Sequence, residues 1–386
     1  MEQKKIVILT LAGVVVLSLS IFGAYTITKF VNTPNDNTNQ TAGTSPTPAI
    51  KKVDAESYCP LNGKRYTTED QLRWEQKHPV AVMIENHPQS RPQSGLTSAD
   101  VVYEAVAEGG ITRFMGVFLC DPTPQVTGPV RSARTYFLDW LSEYNAFYAH
   151  VGGANSNGMA TESKADALAQ IKRYGIKDFD YSPGFYRDEN RNPDVAYEHT
   201  AYLDMDRLRK YAKDTWKWGA EVNGTRWDTT FEKWKFIDDN TQTTAEASAA
   251  ATISYQFWDT SASLFNVTWN YDAASKTYAR TMAGKSHVDK NNNEQIKVSD
   301  MIIMFQEESK ANDEYQGNLH LLYKTIGTGQ AYIFMNGNMI KGTWSKSGRT
   351  AKTKFLDSFG HEIPLARGKI WISIVPTFSK ATVKVQ

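Results

Sequence analysis

Two glutamates and an arginine flank the Gly109-Gly110 dipeptide in a stretch of alternating apolar and polar residues. A two-residue hairpin through these glycines would place Glu104, Glu108 and Arg113 on one face of the two strands. Diagonal partners on such a face lie about 7 to 8 Å apart, a gap that long side chains can bridge. The pattern predicts a carboxylate–arginine cluster, which is either a structural ion-pair network or part of a ligand site.

A second arginine motif, Gly128 to Thr135, opens a predicted helix. Ser132 can cap the helix start, and a helix N-terminus offers free N–H groups and a partial positive charge. Arg131 and Arg134 add planar donors suited to phosphate or carboxylate. The motif predicts an anion site in which Arg113, Arg131 and Arg134 converge with Glu108 in one cleft. The alternative is that the arginines only pair with nearby carboxylates.

Catalytic roles for these residues stay open. On one strand, Glu104 and Glu108 would be about 13 Å apart, wider than the roughly 5 to 9.5 Å between the carboxylates of glycoside hydrolases. Glu108 could still act with Asp139 or Glu143 from the next helix. His150 ends a predicted strand and is either a general base or a structural residue. In the polar segment around His199, exposed groups are as suited to capping turns as to binding ligand.

The elements that position these residues predict an α+β protein. Residues 58–240 mix strands and helices and are interpreted as an α/β-type domain with a mixed sheet. Residues 252–386 contain short strands separated by turn residues, including the Asn336-Gly337 hairpin signal, and are interpreted as a small antiparallel β domain. The helices are expected over 135–144, 162–174 and 205–216.

The N-terminus carries a candidate membrane anchor. Residues 6–28 contain no charged side chain, and about 23 helical residues cover the roughly 30 Å hydrocarbon core. Lys4 and Lys5 precede this run, which predicts residues 1–5 in the cytoplasm and the bulk of the chain outside. A cleavable signal peptide is the alternative, but its apolar core is usually about 7 to 15 residues long. Residues 29–57, rich in Asn, Thr and Pro, are expected to form a disordered tether.

Cys59 and Cys120 are the only cysteines. Because the predicted compartment is oxidising, we expect them to form a disulfide. Their number and spacing do not fit a zinc or iron–sulfur site. The polar segment from Asp289 to Glu294 lacks the glycine that a calcium loop requires, so no metal site is predicted.

Composition narrows the classes of partner. Forty-one per cent apolar and 22% charged residues are ordinary for a globular protein, and a formal charge of +1 offers no global field for nucleic acid or an anionic membrane. The chain has no P-loop, no GxSxG elbow and no HExxH pair. We therefore predict neither a nucleic-acid partner nor a cofactor, and any anion site must be local.

Several strings occur in an order that resembles the YerB-like lipoprotein family. They are Pro79 to Pro88, Arg91 to Leu96, Ala99 to Glu104, Glu108 to Phe114, Gly128 to Arg134, His287 to Asp289, Gly327 to Gly329 and Gly342 to Trp344. The resemblance covers nearly everything after Tyr58 and implies a two-domain bacterial envelope protein of uncharacterised function. Members of that family are typically lipid-anchored. This chain lacks the cysteine for that, so the apolar span is expected to replace the lipid.

A weaker likeness links the chain to LytR-CpsA-Psr phosphotransferases. In that family a strand hairpin leads to a short arginine motif and then to a glycine-ended string, which here corresponds to Asn145 to Gly153. Pro129 to Ser132 departs from that family's proline–arginine–aspartate motif. If the likeness held, the arginines would bind the pyrophosphate of a lipid-linked glycan.

These observations favour a membrane-anchored, extracytoplasmic envelope protein that binds a phosphate- or carboxylate-bearing wall ligand, either peptidoglycan or a lipid-linked precursor. The alternative is an enzyme that acts on wall glycans or their precursors, as a phosphotransferase or a glycan hydrolase. A second acid or a metal ligand beside the arginines would favour the enzyme, and the sequence offers no clear one.

Overall fold

The computed structural model describes residues 57–122, 126–156, 162–191, 194–237, 246–313 and 319–386. These residues belong to one compact unit. The predicted membrane span at 6–28 and nearly all of the predicted tether at 29–57 lie outside the described residues. Within the described ranges, no helix is long and apolar enough to cross a membrane.

The described part of the chain is mostly β, and its helices are short. Its α-helices are α1 (Thr68–Trp74), α2 (Thr135–Leu141), α3 (Ala167–Tyr174), α4 (Met205–Tyr211) and α5 (Ala262–Phe265). Its 3-10 turns are Pro88–Ser90, Leu96–Ser98, Glu108–Gly110, Ser142–Tyr144, Tyr197–His199, Trp227–Thr230, Asp259–Ser261 and Thr377–Thr382. A π-helical turn, Ala212–Trp216, extends α4.

The strands fall into two groups along the chain. The first twelve are β1 (Ser57–Tyr58), β2 (Arg65–Tyr66), β3 (Val80–Glu85), β4 (Val101–Val106), β5 (Thr112–Phe118), β6 (Val126–Thr127), β7 (Phe147–His150), β8 (Asp178–Asp180), β9 (Phe185–Arg187), β10 (Ala201–Asp204), β11 (Glu221–Val222) and β12 (Thr225–Arg226). The others are β13 (Ala247–Ala249), β14 (Thr252–Tyr255), β15 (Val267–Asp272), β16 (Thr277–Met282), β17 (Lys285–Ser286), β18 (Lys297–Val298), β19 (Asp300–Gln306), β20 (Glu308–Lys310), β21 (Leu321–Tyr323), β22 (Gly327–Met335), β23 (Asn338–Lys346), β24 (Lys354–Leu356), β25 (Ile370–Pro376) and β26 (Lys384–Val385).

One mixed sheet of eleven strands contains strands from both halves of the chain. Its order is β13-β23-β22-β19-β25-β4-β5-β3-β7-β8, with β24 beside β23. Strand β25 pairs in parallel with β19 on one side and with β4 on the other. The second pairing joins the two predicted domains in one sheet. The second half was expected to be an antiparallel β domain, and the pairing of β19 with β25 departs from this because those strands run parallel.

The residue pattern of each sheet matches its burial. Strands β3, β19 and β25 are buried along their whole length, as expected for apolar strands covered on both faces. A second, antiparallel sheet has the order β17-β16-β15-β14-β26, with β18 beside β16. In β16 every second residue is buried, the pattern of a sheet with one face on the core. The smaller sheets pair β1 with β2, β6 and β9 with β10, β11 with β12, and β20 with β21.

Three parallel strands end at the same edge of the main sheet. Strand β7 pairs in parallel with β3 and with β8, so Glu85, His150 and Asp180, the last residues of these strands, lie along one edge. In open sheets with parallel strands, ligands bind outside the carboxyl ends of the strands. The antiparallel β5 begins at this edge, which brings Arg113 beside Glu85 in the register of β3 and β5.

Candidate functional site

The turn between β4 and β5 differs from the predicted two-residue hairpin. Residues Glu108–Gly110 form a 3-10 turn with both glycines at positive φ, and Glu104 pairs with Phe114 instead of Met115. The predicted register is therefore wrong by one residue, because the turn takes up more of the chain. Such a slip moves every side chain of one strand to the other face. Glu104 and Arg113 consequently lie on opposite faces of the sheet.

Glu104 is part of the core and not of an open site. Its carboxylate accepts hydrogen bonds from Arg280 Nη2 at 2.6 Å, Thr112 Oγ1 at 2.9 Å and Trp371 Nε1 at 3.2 Å. The side chains of Glu104 and Arg280 are both fully buried. This ion pair links the predicted first domain to the predicted second one, and no ligand reaches it without a rearrangement of the core.

Glu108 holds two of the predicted arginines in a buried network. Arg134 donates to its carboxylate through Nε at 2.5 Å and Nη2 at 2.7 Å. Arg113 Nη2 lies 3.9 Å from Glu108 Oε2, and its Nη1 donates to the Ser132 carbonyl at 2.7 Å. Burial alone would raise the pKa of Glu108, but the charge and hydrogen bonds of Arg134 lower it to about 2. Burial and the neighbouring Arg134 lower the pKa of Arg113 to about 10.

This network predicts a loss of stability in acid. A depressed folded-state pKa stabilises the protein above the unfolded pKa of Glu108, near 4.5, and this contribution is lost as the pH falls towards 2. Between pH 5 and pH 3, the free energy of unfolding should fall by about 1 to 2 kcal/mol more in the wild type than in Glu108→Gln. Urea unfolding at both pH values measures this difference. The exposed Glu189→Gln is the matched control, and an equal fall in Glu108→Gln would disprove the assignment.

Arg131 lies outside this network and pairs with Glu85. Arg131 Nε is 3.0 Å from Glu85 Oε1, and His199 Nδ1 is 2.6 Å from Glu85 Oε2. The ring of His87 stacks on that of His199, with 4.7 Å between centroids. Burial, followed by the neighbouring His199, lowers the pKa of His87. We call Glu85, His87, Arg131 and His199 the edge cluster, because they lie where β3 ends.

Arg131 is more open to solvent than the arginines of the Glu108 network. The side chain of Arg131 is 29% exposed, whereas those of Arg113 and Arg134 are 9% and 7% exposed. The predicted convergence of three arginines on Glu108 therefore holds for Arg113 and Arg134, while Arg131 turns to Glu85. Of these three arginines, Arg131 is the one that a ligand in solvent can reach most easily.

The start of the predicted helix differs from the predicted capped start. Helix α2 has only seven residues, its N-cap is Arg134, and no side chain caps it. The prediction that Ser132 is the cap is wrong, because the chain is still extended at Arg134. Asp139 on α2 accepts a hydrogen bond from Thr325 Oγ1 at 2.5 Å and lies outside the edge cluster.

His150 is buried, and both of its ring nitrogens have partners. Nδ1 lies 2.8 Å from the Gly152 carbonyl and Nε2 lies 3.2 Å from Asp178 Oδ2. These contacts fix the ring at the end of β7. The geometry is that of a structural histidine that shapes the turn beside the edge cluster.

Two exposed tyrosines beside the edge cluster were missed in the sequence. The guanidinium carbon of Arg187 lies 5.4 Å from the ring centroid of Tyr181 and 4.1 Å from that of Tyr197. The two tyrosines are 44% and 64% exposed. Tyr181 directly follows β8 and has a φ of 46°, a strained conformation for a bulky residue that is found more often at functional sites. We call Tyr181, Arg187 and Tyr197 the tyrosine platform.

The platform and the edge cluster are connected. Tyr197 and His199 belong to the same 3-10 turn, and Arg131 Nη1 lies 3.5 Å from the carbonyl oxygen of the intervening Glu198. No sequence motif joins these residues, since they come from the end of β3, the 131 loop, the end of β8, β9 and the 197–199 turn. Besides Arg131, which was predicted to bind an anion, the one sequence feature that pointed to this region was the polar segment around His199. Its pattern fitted turn capping as well as ligand binding.

The predicted disulfide is confirmed. Cys59 and Cys120 are bonded, with 5.9 Å between their Cα atoms. In the described ranges, these cysteines and Asp100 are the one group of three side chains with metal-ligand chemistry close enough to share an ion. Because the two sulfurs are joined to each other, neither is available as a thiolate ligand.

Comparisons with known proteins match both halves of the chain. Residues 64–220 match a family described as "Protein of unknown function (DUF3048) N-terminal domain", and residues 253–372 match its C-terminal domain. Over 328 residues, the chain is 30% identical to "Putative lipoprotein YerB" of Bacillus subtilis (strain 168). This alignment covers 84% of this chain and 88% of that protein.

A solved structure has the same fold. The crystal structure of the YerB protein from Bacillus subtilis aligns with a TM-score of 0.65 and 24% sequence identity, covering 86% of this chain and 100% of that one. At this identity the likeness is evidence for the fold and carries no information about a ligand. The fold that contains the mixed sheet is therefore one that has been solved before.

Proposed function

The chain belongs to the YerB-like family, and from this membership we propose that it is a membrane-anchored protein of the cell envelope that binds an anionic wall ligand at the edge cluster. The ligand carries a phosphate or a carboxylate and derives from peptidoglycan or a lipid-linked precursor. One observation carries the proposal: Arg131 is a solvent-accessible guanidinium, positioned by Glu85, at the carboxyl edge of three parallel strands.

Two features support the membrane anchor. The uncharged run at 6–28 is long enough to span a bilayer, and the Bacillus subtilis relative is named as a lipoprotein. A lipid and an apolar helix can each keep the folded part of a protein at the membrane surface. The disulfide agrees with an oxidising compartment outside the cytoplasm.

The edge cluster has the chemistry for an anion. A guanidinium binds carboxylate and phosphate oxygens with paired, charge-assisted hydrogen bonds. Glu85 holds Arg131 and His199 in place, so a ligand does not have to order a flexible side chain, which lowers the cost of binding. The exposed rings of the tyrosine platform offer apolar faces next to this cation, suited to a sugar ring that carries the anionic group.

Arg131→Ala tests this proposal. A charge-assisted contact is worth about 1.5 to 3 kcal/mol, so the variant should bind roughly ten- to a hundredfold more weakly. Suitable probes are muramyl dipeptide, which carries a carboxylate, and N-acetylglucosamine 1-phosphate, titrated calorimetrically into the full chain in uncharged detergent. The melting temperature should stay nearly unchanged, because the buried Glu85 keeps its contact with His199 after the change.

Arg207→Ala is the matched control, since Arg207 is exposed on α4, which contacts the chain just before the start of β3, whereas the edge cluster lies where β3 ends. It should change neither binding nor melting. A large loss of stability in Arg131→Ala with unchanged binding would show instead that Arg131 only neutralises the buried Glu85.

An enzyme acting on wall glycans is the second candidate. The observation that favours it is the short contact between Glu85 and His199, because a carboxylate-oriented histidine is a frequent general base. In that case, incubation with polymeric peptidoglycan would release reducing ends, or incubation with a lipid-linked glycan would release phosphate. Loss of either product in His199→Gln, with probe binding retained, would favour the enzyme.

A further inference from the structure

A second concave site is lined by residues other than those of the edge cluster. A groove with a volume of about 640 Å³ runs between α1 and α4, with Phe147 at its base. This volume lies within the range of ordinary small-molecule sites. None of the four edge-cluster residues lines the groove.

The side chains around the groove carry an excess of positive charge. Two of its cations are already paired, Arg73 with Glu69 at 2.6 Å and Lys210 with Asp214. Three further cations, Lys77, Arg209 and Lys213, face the single remaining carboxylate of Asp206. The lining therefore has two positive charges more than it has negative ones.

Two of the surplus cations are suited to bind an anion from solvent. Arg209 is held by the carbonyl oxygens of His78 at 2.6 Å and Phe118 at 2.9 Å, so its guanidinium is fixed without losing its charge to a carboxylate. No described side chain or carbonyl forms a hydrogen bond or an ion pair with the Lys77 ammonium. Burial and the charge of Arg209 lower the pKa of Lys77, as expected for a partly desolvated cation without an anionic partner.

The base and rim of the groove are apolar. The ring of Phe147 stacks on His78 with 3.8 Å between centroids, and Trp218 lies 5.4 Å from Phe147. Leu72 on α1 is 57% exposed at the rim. A ligand that reaches Lys77 therefore passes over aromatic and aliphatic surface.

From this geometry we propose that the groove binds a phosphate monoester that carries an apolar substituent. The surplus of two positive charges matches a phosphate monoester, which has a charge of about −1.5 to −2 at pH 7. Its oxygens would accept hydrogen bonds from Lys77 and its charge would face Arg209, while the substituent would pack on Trp218 and Leu72. A phospholipid head group and a soluble aryl phosphate share this chemistry.

Calorimetric titration of the full chain in uncharged detergent tests the proposal with three probes. Phenyl phosphate and dihexanoyl phosphatidic acid should both bind at least tenfold more tightly than inorganic phosphate, because only they use the apolar surface. Tighter binding of the phosphatidic acid identifies a lipid source, and tighter binding of phenyl phosphate identifies a soluble ester. Inorganic phosphate binding as tightly as both would overturn the assignment of the substituent.

Lys77→Met should weaken the binding of phenyl phosphate by about tenfold, the effect of one charge-assisted contact, and Lys77→Arg should retain most of it. Lys324→Met is the matched control, because Lys324 is an exposed lysine outside the groove that is paired with Glu307, and it should bind as the wild type does. Equal affinity in Lys77→Met and the wild type would overturn the proposal. So would a loss in Arg131→Ala of the same size, because the probe would then occupy the edge cluster.

Discussion

Glu143→Ala is expected to lower the free energy of unfolding by about 3 to 5 kcal/mol, the usual cost of leaving a buried charge without its partner. Glu143 follows α2 and is buried. Its carboxylate accepts hydrogen bonds from Lys346 Nζ at 2.8 Å and from Thr353, through N at 3.0 Å and Oγ1 at 2.5 Å. Lys352 Nζ lies 3.9 Å away. One carboxylate from the first half of the chain therefore compensates two buried lysines from the second.

The surroundings of Lys352 explain why the loss should be large. Its ammonium lies 3.2 Å from the ring centroid of Trp234 and 4.4 Å from that of Tyr144, and no residue in the described ranges forms a hydrogen bond with it. Burial lowers the pKa of Lys352 to about 7, even though the charge of Glu143 acts in the opposite direction. Without Glu143, the aromatic rings and the weaker charges of Glu232 and Glu362 would remain to stabilise this charge, and a desolvated cation–π contact contributes about 2 kcal/mol.

Urea unfolding at pH 7 measures the effect, and an exposed ion pair provides the control. Glu307 lies 3.7 Å from Lys324, and both side chains are more than half exposed. Pairs of this kind contribute about 0 to 1 kcal/mol, so Glu307→Ala should change the free energy of unfolding by no more than that. A change of similar size in Glu143→Ala would mean that water reaches the two lysines and that the contact between the halves is weak.

The strands were the part of the fold most accessible from sequence. The strands predicted at 79–85, 277–282 and 369–375 all form, to within a residue at their ends, because burial on one or both faces imposes a pattern on local sequence. Register is less accessible, since it depends on turn geometry. The 3-10 turn at Glu108–Gly110 moved Arg113 to the other face, although both glycines were identified correctly as a turn.

The long-range contacts could not have been predicted, because no local pattern encodes them. Arg280 reaches Glu104 across 176 residues, and His199 reaches Glu85 across 114 residues. The parallel pairing of β4 with β25 brings together segments that the sequence assigned to separate domains. The sequence predicted that Arg113, Arg131 and Arg134 lie close to carboxylates, and in the structure each of them does. Which carboxylate each one contacts is decided by sheet register, and only Arg131 retains access to solvent.

Replacing both cysteines, in Cys59→Ala/Cys120→Ala, should lower the free energy of unfolding by about 4 kcal/mol. The disulfide spans 61 residues, and in the chain-entropy model closing a loop of this length restricts the unfolded chain by that amount. Next to it, the buried Asp100 accepts hydrogen bonds from the backbone of Leu119 at 2.7 Å and Cys120 at 2.9 Å, and from Asn62 Nδ2 at 3.0 Å. The bond thus closes a segment whose two ends already share a partner.

Denaturant unfolding of the wild type and the double variant, each with and without reductant, separates the disulfide from the side chains. Reductant should destabilise the wild type to about the level of the variant and should leave the variant unchanged. If the residual contacts of Asp100 keep the two ends together in the unfolded chain, the loss will fall clearly below about 4 kcal/mol, because less entropy remains to be restricted. A loss of less than about 1 kcal/mol would contradict the loop-closure account for this bond.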